Sequence, residues 1–362
     1  MVICSPQYGL SPNSDAGGEI YDEQILKGLA NRGHKIEIIL PYQKPYATGQ
    51  HNWCVHRLPL PFIHYSYLFN LAIIPRLLSI YKKTGFRVLR VHSPYYVGLG
   101  AFLFKKIFAP RTKLVATYFH LEKRVGFNLI DSWLIRKWDG IITVSQFTKE
   151  AIVKKYGLDK SKITVIYPGT GDNFPINYRE KTVKSEKENP QAVFCGLLIK
   201  RKNIGFLLKI AREIKDENFK LFIIGRGPER KKLERQAKKM GLEDKVTFTG
   251  YLNDQEKTKI IKSSDVFLFP SLMEGFGMAP LEAMSLGVPA IVSNRGALPE
   301  AAGKGATVLD LDVDLWAKEV VKIWKNPELK TKLSQKARKR SEEFGWRKSV
   351  DKTEEFIKFY DH

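Results

Sequence analysis

A chain of 362 residues exceeds what one hydrophobic core ordinarily serves, so two domains of ordinary size are expected. Hydrophobic residues at 43% and charged residues at 27%, with glycine and proline spread along the chain, exclude a disordered or fibrous protein. Cys4, Cys54 and Cys195 stand far apart and outside any CxxC spacing, which argues against a disulfide framework or a zinc site and fits a reducing cytoplasm.

Met1 leads straight into the apolar run Val2–Cys4 and then Ser5-Pro6, with no basic-then-apolar leader, so no secretion signal is expected. Further strands are predicted at Lys35–Leu40, Val88–Val91, Lys113–Thr117, Gly140–Val144 and Thr164–Tyr167. Helices are predicted between them at Gly18–Arg32, with Ile20, Ile25, Leu26 and Leu29 at helical spacing, and at Ser145–Tyr156, opened by Ser145 as N-cap. The polar segment 175–190 has no apolar period and reads as a linker. After it the alternation restarts, with strands at Ala192–Cys195, Lys220–Ile224, Lys245–Thr249, Val266–Pro270 and Pro289–Ser293 and helices at Ile204–Ile214 and Glu229–Met240. The stretch Trp346–Tyr360, with Val350, Phe356 and Phe359 among lysines, reads as a packing helix near the domain junction. The fold class is therefore α/β: an N-terminal Rossmann-like domain over 1–174, the linker, a second Rossmann-like domain over 191–345 and the helix 346–362. A deep cleft between the two domains is the expected ligand site.

The net charge of +22 is unevenly placed. From Ile38 to Leu121 there is no Asp or Glu, while Arg76, Lys82, Lys83, Arg90, Lys105 and Lys106 are among the cations present. Such a field attracts phosphate groups, acidic headgroups or nucleic acid, and charge alone does not choose among them. Within this region Leu58–Tyr81 is the most apolar stretch, but Pro59, Pro61, Pro75 and Arg76 break it, so no membrane span is expected. It reads equally as a surface resting on an anionic bilayer and as core and acceptor-pocket wall.

The most informative stretch is SLMEGFGMAPLEAMSLGVP, directly after the strand ending at Pro270. Glu274 and Glu282 stand eight residues apart, and Gly275-Phe276-Gly277 leads into a helix expected to begin near Ala279. Glycines let backbone approach a ligand closely, and a helix start offers free N–H groups and a positive dipole end to a phosphate or sugar oxygen. Glu282 is expected in the first turn of that helix, within reach of ribose hydroxyls, since a carboxylate accepts two hydroxyl hydrogen bonds at once.

This stretch resembles the donor-site motif of glycosyltransferase family 4, retaining enzymes of the GT-B fold. The resemblance extends to IIGRGPERKKLERQAKKMGLEDKVTFTGYL, CGLLIKRKNI, VSQFTKEAIVKKYG, VIYPG and Gly17-Gly18, and it covers nearly the whole chain, more specifically in its C-terminal half. It implies that Glu274 binds hydroxyls of the donor sugar, Glu282 the nucleotide ribose, and the backbone of Gly275, Phe276, Gly277 and Met278 the sugar and phosphate. It implies that Lys202 neutralises the donor pyrophosphate, a charge a fixed cation stabilises without a metal. Where the family usually has a phosphate-binding arginine after Gly196 this chain has Leu197, so Lys200 or Arg201 takes over that contact or the clamp is weaker. Arg226, where the family often has an acidic or small residue, has no account from the sequence. Gly17 and Gly18, ahead of a helix, are placed to meet donor phosphate or acceptor. His120 resembles the family histidine near the donor sugar, with His92 as its rival at another strand end.

The implied activity is transfer of a hexosyl group from a UDP- or GDP-linked sugar to an acceptor hydroxyl, with no cofactor and no metal. The acceptor is expected to be a glycan, lipid-linked or otherwise anionic, at the inner membrane face. The enzyme is then cytoplasmic or peripheral at that face, and no nucleic-acid partner is expected. Charge and Leu197 leave open a basic polyanion- or nucleic-acid-binding protein that keeps the fold without catalysis, although no nucleic-acid-binding signature is present. A phosphate-using relative of the same fold is a third reading.

Overall fold

The computed structural model describes residues 1–361 except 11–13, 15, 42–51, 59–65, 93, 122–127, 171–188 and 215–217. The linker prediction lies almost wholly outside the described residues, as does Asp15, which precedes the glycine pair. The chain divides into two compact units, Met1–Pro168 with Trp346–His362, and Gly169–Gly345.

In chain order the first unit runs β1 (Val2–Pro6), α1 (Gly17–Asn31), β2 (Lys35–Pro41), β3 (Trp53–Leu58), α2 (Ser66–Thr84), β4 (Val88–His92), α3 (Pro94–Phe108), β5 (Lys113–Tyr118), α4 (Asn128–Leu134), β6 (Gly140–Thr143), α5 (Gln146–Tyr156) and β7 (Ile163–Val165). Its seven strands lie in the order β3-β2-β1-β4-β5-β6-β7, and every described pairing is parallel. Parallel strands covered on both faces read as continuous apolar runs, and β4 is buried along its whole length. The Ser145 prediction holds: its side chain accepts from the Thr148 N–H at 3.1 Å to cap α5, and Gly157 closes the helix at φ +62°.

The second unit runs β8 (Gln191–Cys195), α6 (Ile204–Glu213), β9 (Lys220–Ile224), α7 (Arg230–Lys239), β10 (Val246–Gly250), α8 (Asp254–Ser263), β11 (Val266–Phe269), α9 (Met278–Ser285), β12 (Ala290–Ser293), α10 (Leu298–Ala302), β13 (Thr307–Leu309), α11 (Val313–Lys325) and α12 (Pro327–Ser341). Its sheet has the order β10-β9-β8-β11-β12-β13, again parallel throughout. Each sheet thus starts at a central strand, winds outward one way and then reverses. The reversal falls between β1 and β4 in one unit and between β8 and β11 in the other, the positions at which open α/β sheets bind ligands.

The final helix, α13 (Trp346–Asp361), returns to the first unit. Trp346, Ser349, Val350, Thr353 and Ile357 form its buried stripe, whereas Phe359, an expected packing residue, is exposed. Glu354 fixes it to the end of α1 through Arg32 at 2.6 Å and His34 at 2.9 Å.

In Leu58–Tyr81, Pro75 lies within α2, which runs for 19 residues. Phe69, Ile73, Leu77 and Ile80 of α2 are buried in the core, while Leu71 is 54% exposed. Among the described residues no helix is long and apolar enough to cross a membrane.

Candidate functional site

In the second unit the candidate site gathers at the carboxyl ends of β8 and β11. A turn at Lys200–Lys202 follows β8, and Asn203, the one non-glycine residue at positive φ among those described, ends it at +55°. Its side-chain amide donates to the Pro270 carbonyl at 3.2 Å, and the Leu272 N–H donates to the Arg201 carbonyl at 2.8 Å. These bonds fasten the turn after β8 to the loop after β11 and set Lys202 beside Glu274.

Lys202 Nζ lies 2.8 Å from Glu274 Oε1 and 4.5 Å from the centre of the Phe269 ring. Arg201 reaches the same carboxylate at 2.9 Å and the Met273 carbonyl at 2.7 Å. Burial opposes ionisation of Glu274, but the Lys202 ammonium and the Arg201 guanidinium outweigh it and hold the carboxyl below its usual range. Burial lowers Lys202 despite the attraction of Glu274. The sequence thus placed Lys202 on a phosphate, and the structure joins it to the very glutamate expected to hold the sugar. Of the two candidates to replace the missing arginine, Arg201 is drawn to the site, whereas Lys200 is exposed.

Glu282 is the fifth residue of α9 and so sits in its second turn, not the first. Its carboxylate is 3.7 Å from Lys257 Nζ, which also meets Asp254 at 2.9 Å. Burial raises the Glu282 carboxyl against the pull of that ammonium, whereas at Lys257 burial is outweighed and Glu282 holds the ammonium's pKa above its usual range.

Between the glutamates, Gly277 stands at φ +107° as the N-cap of α9, and no side chain caps that helix start. Phe276 turns its ring into the core at 5.3 Å from Phe344, which leaves only backbone to face a ligand from this part of the loop. Gly296, at φ +62°, backs Glu274: a Cβ there would fall 2.5 Å from the Glu274 carbonyl. The loops after β8 and β9 are equally close, since a Cβ on Gly225 would fall 2.0 Å from the Gly196 carbonyl. Arg226 now has a place, stacked over Tyr251 at 5.2 Å.

In the first unit Gly17 and Gly18 form the first residues of α1 rather than a loop before it. The buried group at the β1/β4 reversal is a different one. Asp22 of α1 accepts from Arg90, and His92 Nδ1 lies 2.9 Å from the same oxygen, with Asp22 and Arg90 fully buried. Burial works against the Asp22 carboxylate, but Arg90 and His92 outweigh it and keep its pKa low. His120 lies two residues past β5, partly buried, so the strand-end histidine at the reversal point is His92. Arg90 also leaves the basic field inferred from sequence, because Asp22 neutralises it inside the protein. Lys257, Phe269 and Asp22 carried no motif signal, and only folding brings them to these sites. Among the described residues no group of three or more His, Cys, Asp or Glu could hold a metal ion.

Comparison with known proteins bears on both units. The model of the family "Glycosyl transferases group 1" matches residues 177–340 and that of "Glycosyltransferase Family 4" matches 16–173. An uncharacterized glycosyltransferase of Methanocaldococcus jannaschii is 27% identical over 321 residues, covering 83% of this chain and 82% of its own. Among solved structures, a sucrose-phosphate synthase of Thermosynechococcus elongatus superposes with a TM-score of 0.83 at 20% identity, covering 99% of this chain and 98% of its own. The Anabaena protein HepE, solved in complex with UDP and glucose, gives 0.78 at 17% identity and covers 99% of both chains. With one family model on each half and the two-sheet architecture shared along the whole chain, this protein belongs to glycosyltransferase family 4 and is a transferase of the GT-B fold.

Proposed function

We propose that the chain transfers a hexosyl group, with retention, from a UDP- or GDP-linked sugar to an acceptor hydroxyl, and that the second unit holds the donor. One observation carries the reading: Glu274 is kept ionised by Lys202 and Arg201 at the β8/β11 reversal, beside Glu282 and an uncapped helix start. Glu274 accepts hydrogen bonds from sugar hydroxyls and Glu282 from the ribose diol. Lys202, Arg201 and the N–H groups at the start of α9 face the diphosphate.

The acceptor oxygen forms its bond to the anomeric carbon on the face from which the diphosphate leaves. The anomeric C–O bond breaks with its electron pair on the phosphate, and that phosphate takes the acceptor proton. Lys202 and Arg201 offset the charge that builds there, which needs no metal. The similar Anabaena protein HepE, solved with UDP and glucose, supports the donor class.

Turnover with a panel of nucleotide sugars, read beside the donor-induced rise in melting temperature, tests the proposal. Glu274→Gln and Lys202→Met are expected to lose transfer by at least about 100-fold, the scale of removing one group that stabilises a transition-state charge. Full activity in both variants overturns it. For the acceptor, the acid-free stretch Ile38–Leu121 is consistent with an anionic or lipid-linked glycan at a membrane face. Binding to anionic but not neutral vesicles is its expected sign.

A further inference from the structure

We infer that Arg340, in the last turn of α12, is a positioning residue for the loop Glu274–Gly277, acting through Phe344 and α10 rather than on the donor. The inference rests on the reading of the second unit as the one that holds the donor. Backbone N–H groups stabilise a developing charge only when they are already aimed at it, so a loop containing two glycines needs holding from outside. Three contacts hold this one. The Ala297 N–H, at the start of α10, donates to the Glu274 carbonyl at 3.0 Å. Leu298 packs so close to Gly277 that a Cβ there would fall 2.6 Å from its Cδ2. The Phe276 ring meets the Phe344 ring edge-on at 5.3 Å, and both residues are buried.

Arg340 ties the supports together. Its guanidinium lies 4.6 Å from the centre of the Phe344 ring. The same group donates to two carbonyls at the end of α10, from Nε to Ala301 at 3.0 Å and from Nη2 to Glu300. A helix end leaves carbonyls without partners and favours a cation there. Gly303 gives the guanidinium room, since a Cβ on it would fall 2.8 Å from Arg340 Nε. Nη1 also meets Glu343, but that carboxylate is 57% exposed, so the pair adds little. One planar fork thus fixes α10 and Phe344 relative to each other, and these two carry the loop. A lysine reaches the ring or a carbonyl but does not span all three.

The Lys257–Glu282 pair, which meets the ribose in the donor reading, makes none of these contacts, and that separates positioning from a general loosening of the unit. The test is calorimetric titration of the full chain with UDP-glucose, UDP-galactose and GDP-mannose as donors, and with UMP and GMP as probes of the nucleoside end. Arg340→Met is expected to lose about tenfold in donor affinity and about 100-fold in kcat/KM for donor turnover, the scale of a displacement of about 1 Å at a reacting centre. Its loss of affinity for the matching monophosphate should be smaller than its loss for the donor. Arg340→Lys should recover the donor affinity only in part. Phe344→Leu keeps the core filled but removes the ring edge from Phe276, and should show the same unequal losses; it decides the matter if Arg340→Met does not fold. A wild type that binds none of the donors overturns the donor reading and this inference together. Wild-type donor affinity in a folded Arg340→Met or Phe344→Leu, equal losses for donor and monophosphate, or full recovery in Arg340→Lys overturns the positioning role alone.

Discussion

Glu274 carries its negative charge where water barely reaches, and Lys202 and Arg201 are what keep it there. Glu274→Ala therefore does more than remove a sugar contact: it strands the desolvated Lys202 ammonium on the Phe269 ring alone. Loss of one partner from a buried pair costs about 3–5 kcal/mol, so a lowered melting temperature is expected for Glu274→Ala alongside lost transfer. Glu274→Gln keeps a hydrogen-bonding side chain and should melt closer to wild type, which makes it the cleaner probe of chemistry. Asp22 stands in the same relation to Arg90. Asp22→Asn leaves a guanidinium buried without its counter-charge, and a loss on the same scale of about 3–5 kcal/mol is expected in chemical denaturation. An Asp22→Asn protein as stable as wild type would show that Arg90 finds another partner. His92 Nδ1 lies 2.9 Å from the same Asp22 oxygen, so the carboxylate that meets Arg90 also sits against the imidazole.

At the scale of elements, α13 shows how a charged network ties a helix to its unit. Lys358, His34 and Arg32 hold the Glu354 carboxyl down to about 2, the first of these making the largest contribution. A carboxyl held below its unfolded value stabilises the native state above that unfolded value, near 4.3, and the contribution disappears as pH falls toward the native one. The stability gap between wild type and Glu354→Gln is thus expected to be full at pH 7, on the order of 1 kcal/mol for so accessible a network, and to close between about pH 4 and 2. Urea titrations at pH 7, 4.5 and 3.5 check it; a gap that does not shrink below pH 4 removes the assignment. The same scale explains why the sequence left two readings open for Leu58–Tyr81. Helical spacing of apolar residues in α2 is the same whether the partner is lipid or another helix, and α3 is the partner.

For the molecule as a whole, the order of units along the chain is not the order in space, because α13 follows the second unit and packs on the first. Ending the chain at Gly345 removes Trp346, Val350 and Ile357 from the core of the first unit and Glu354 from its network, while the second unit keeps the Lys202–Glu274 and Lys257–Glu282 pairs. Such a protein is expected to lose the cooperative unfolding of the first unit and to retain donor-induced stabilisation of the second. At a donor concentration about 100 times the dissociation constant that stabilisation amounts to about 2.7 kcal/mol. Calorimetry with and without nucleotide sugar reads both. A truncated chain that melts as the intact one does would show that α13 is dispensable.

The alternation of apolar strand runs with amphipathic helices was legible because both periods are local, and Glu274, Gly277 and Glu282 were legible because they lie in one short motif. β3 escaped notice since Trp53–Leu58 alternates only partly and gains its partners from β2, each paired residue lying 17 positions earlier in the chain. Lys202 could be singled out, but not its bond to Glu274, which comes from a turn 72 residues earlier in the chain. The pairs Lys257–Glu282 and Asp22–Arg90 are likewise products of strand order. The sequence by itself determined two parallel α/β units and the motif of the donor loop, because hydrophobic period and turn chemistry act between near neighbours. Tertiary structure alone decided which charge neutralises which, since a buried ion pair depends on distance in space and on the exclusion of water.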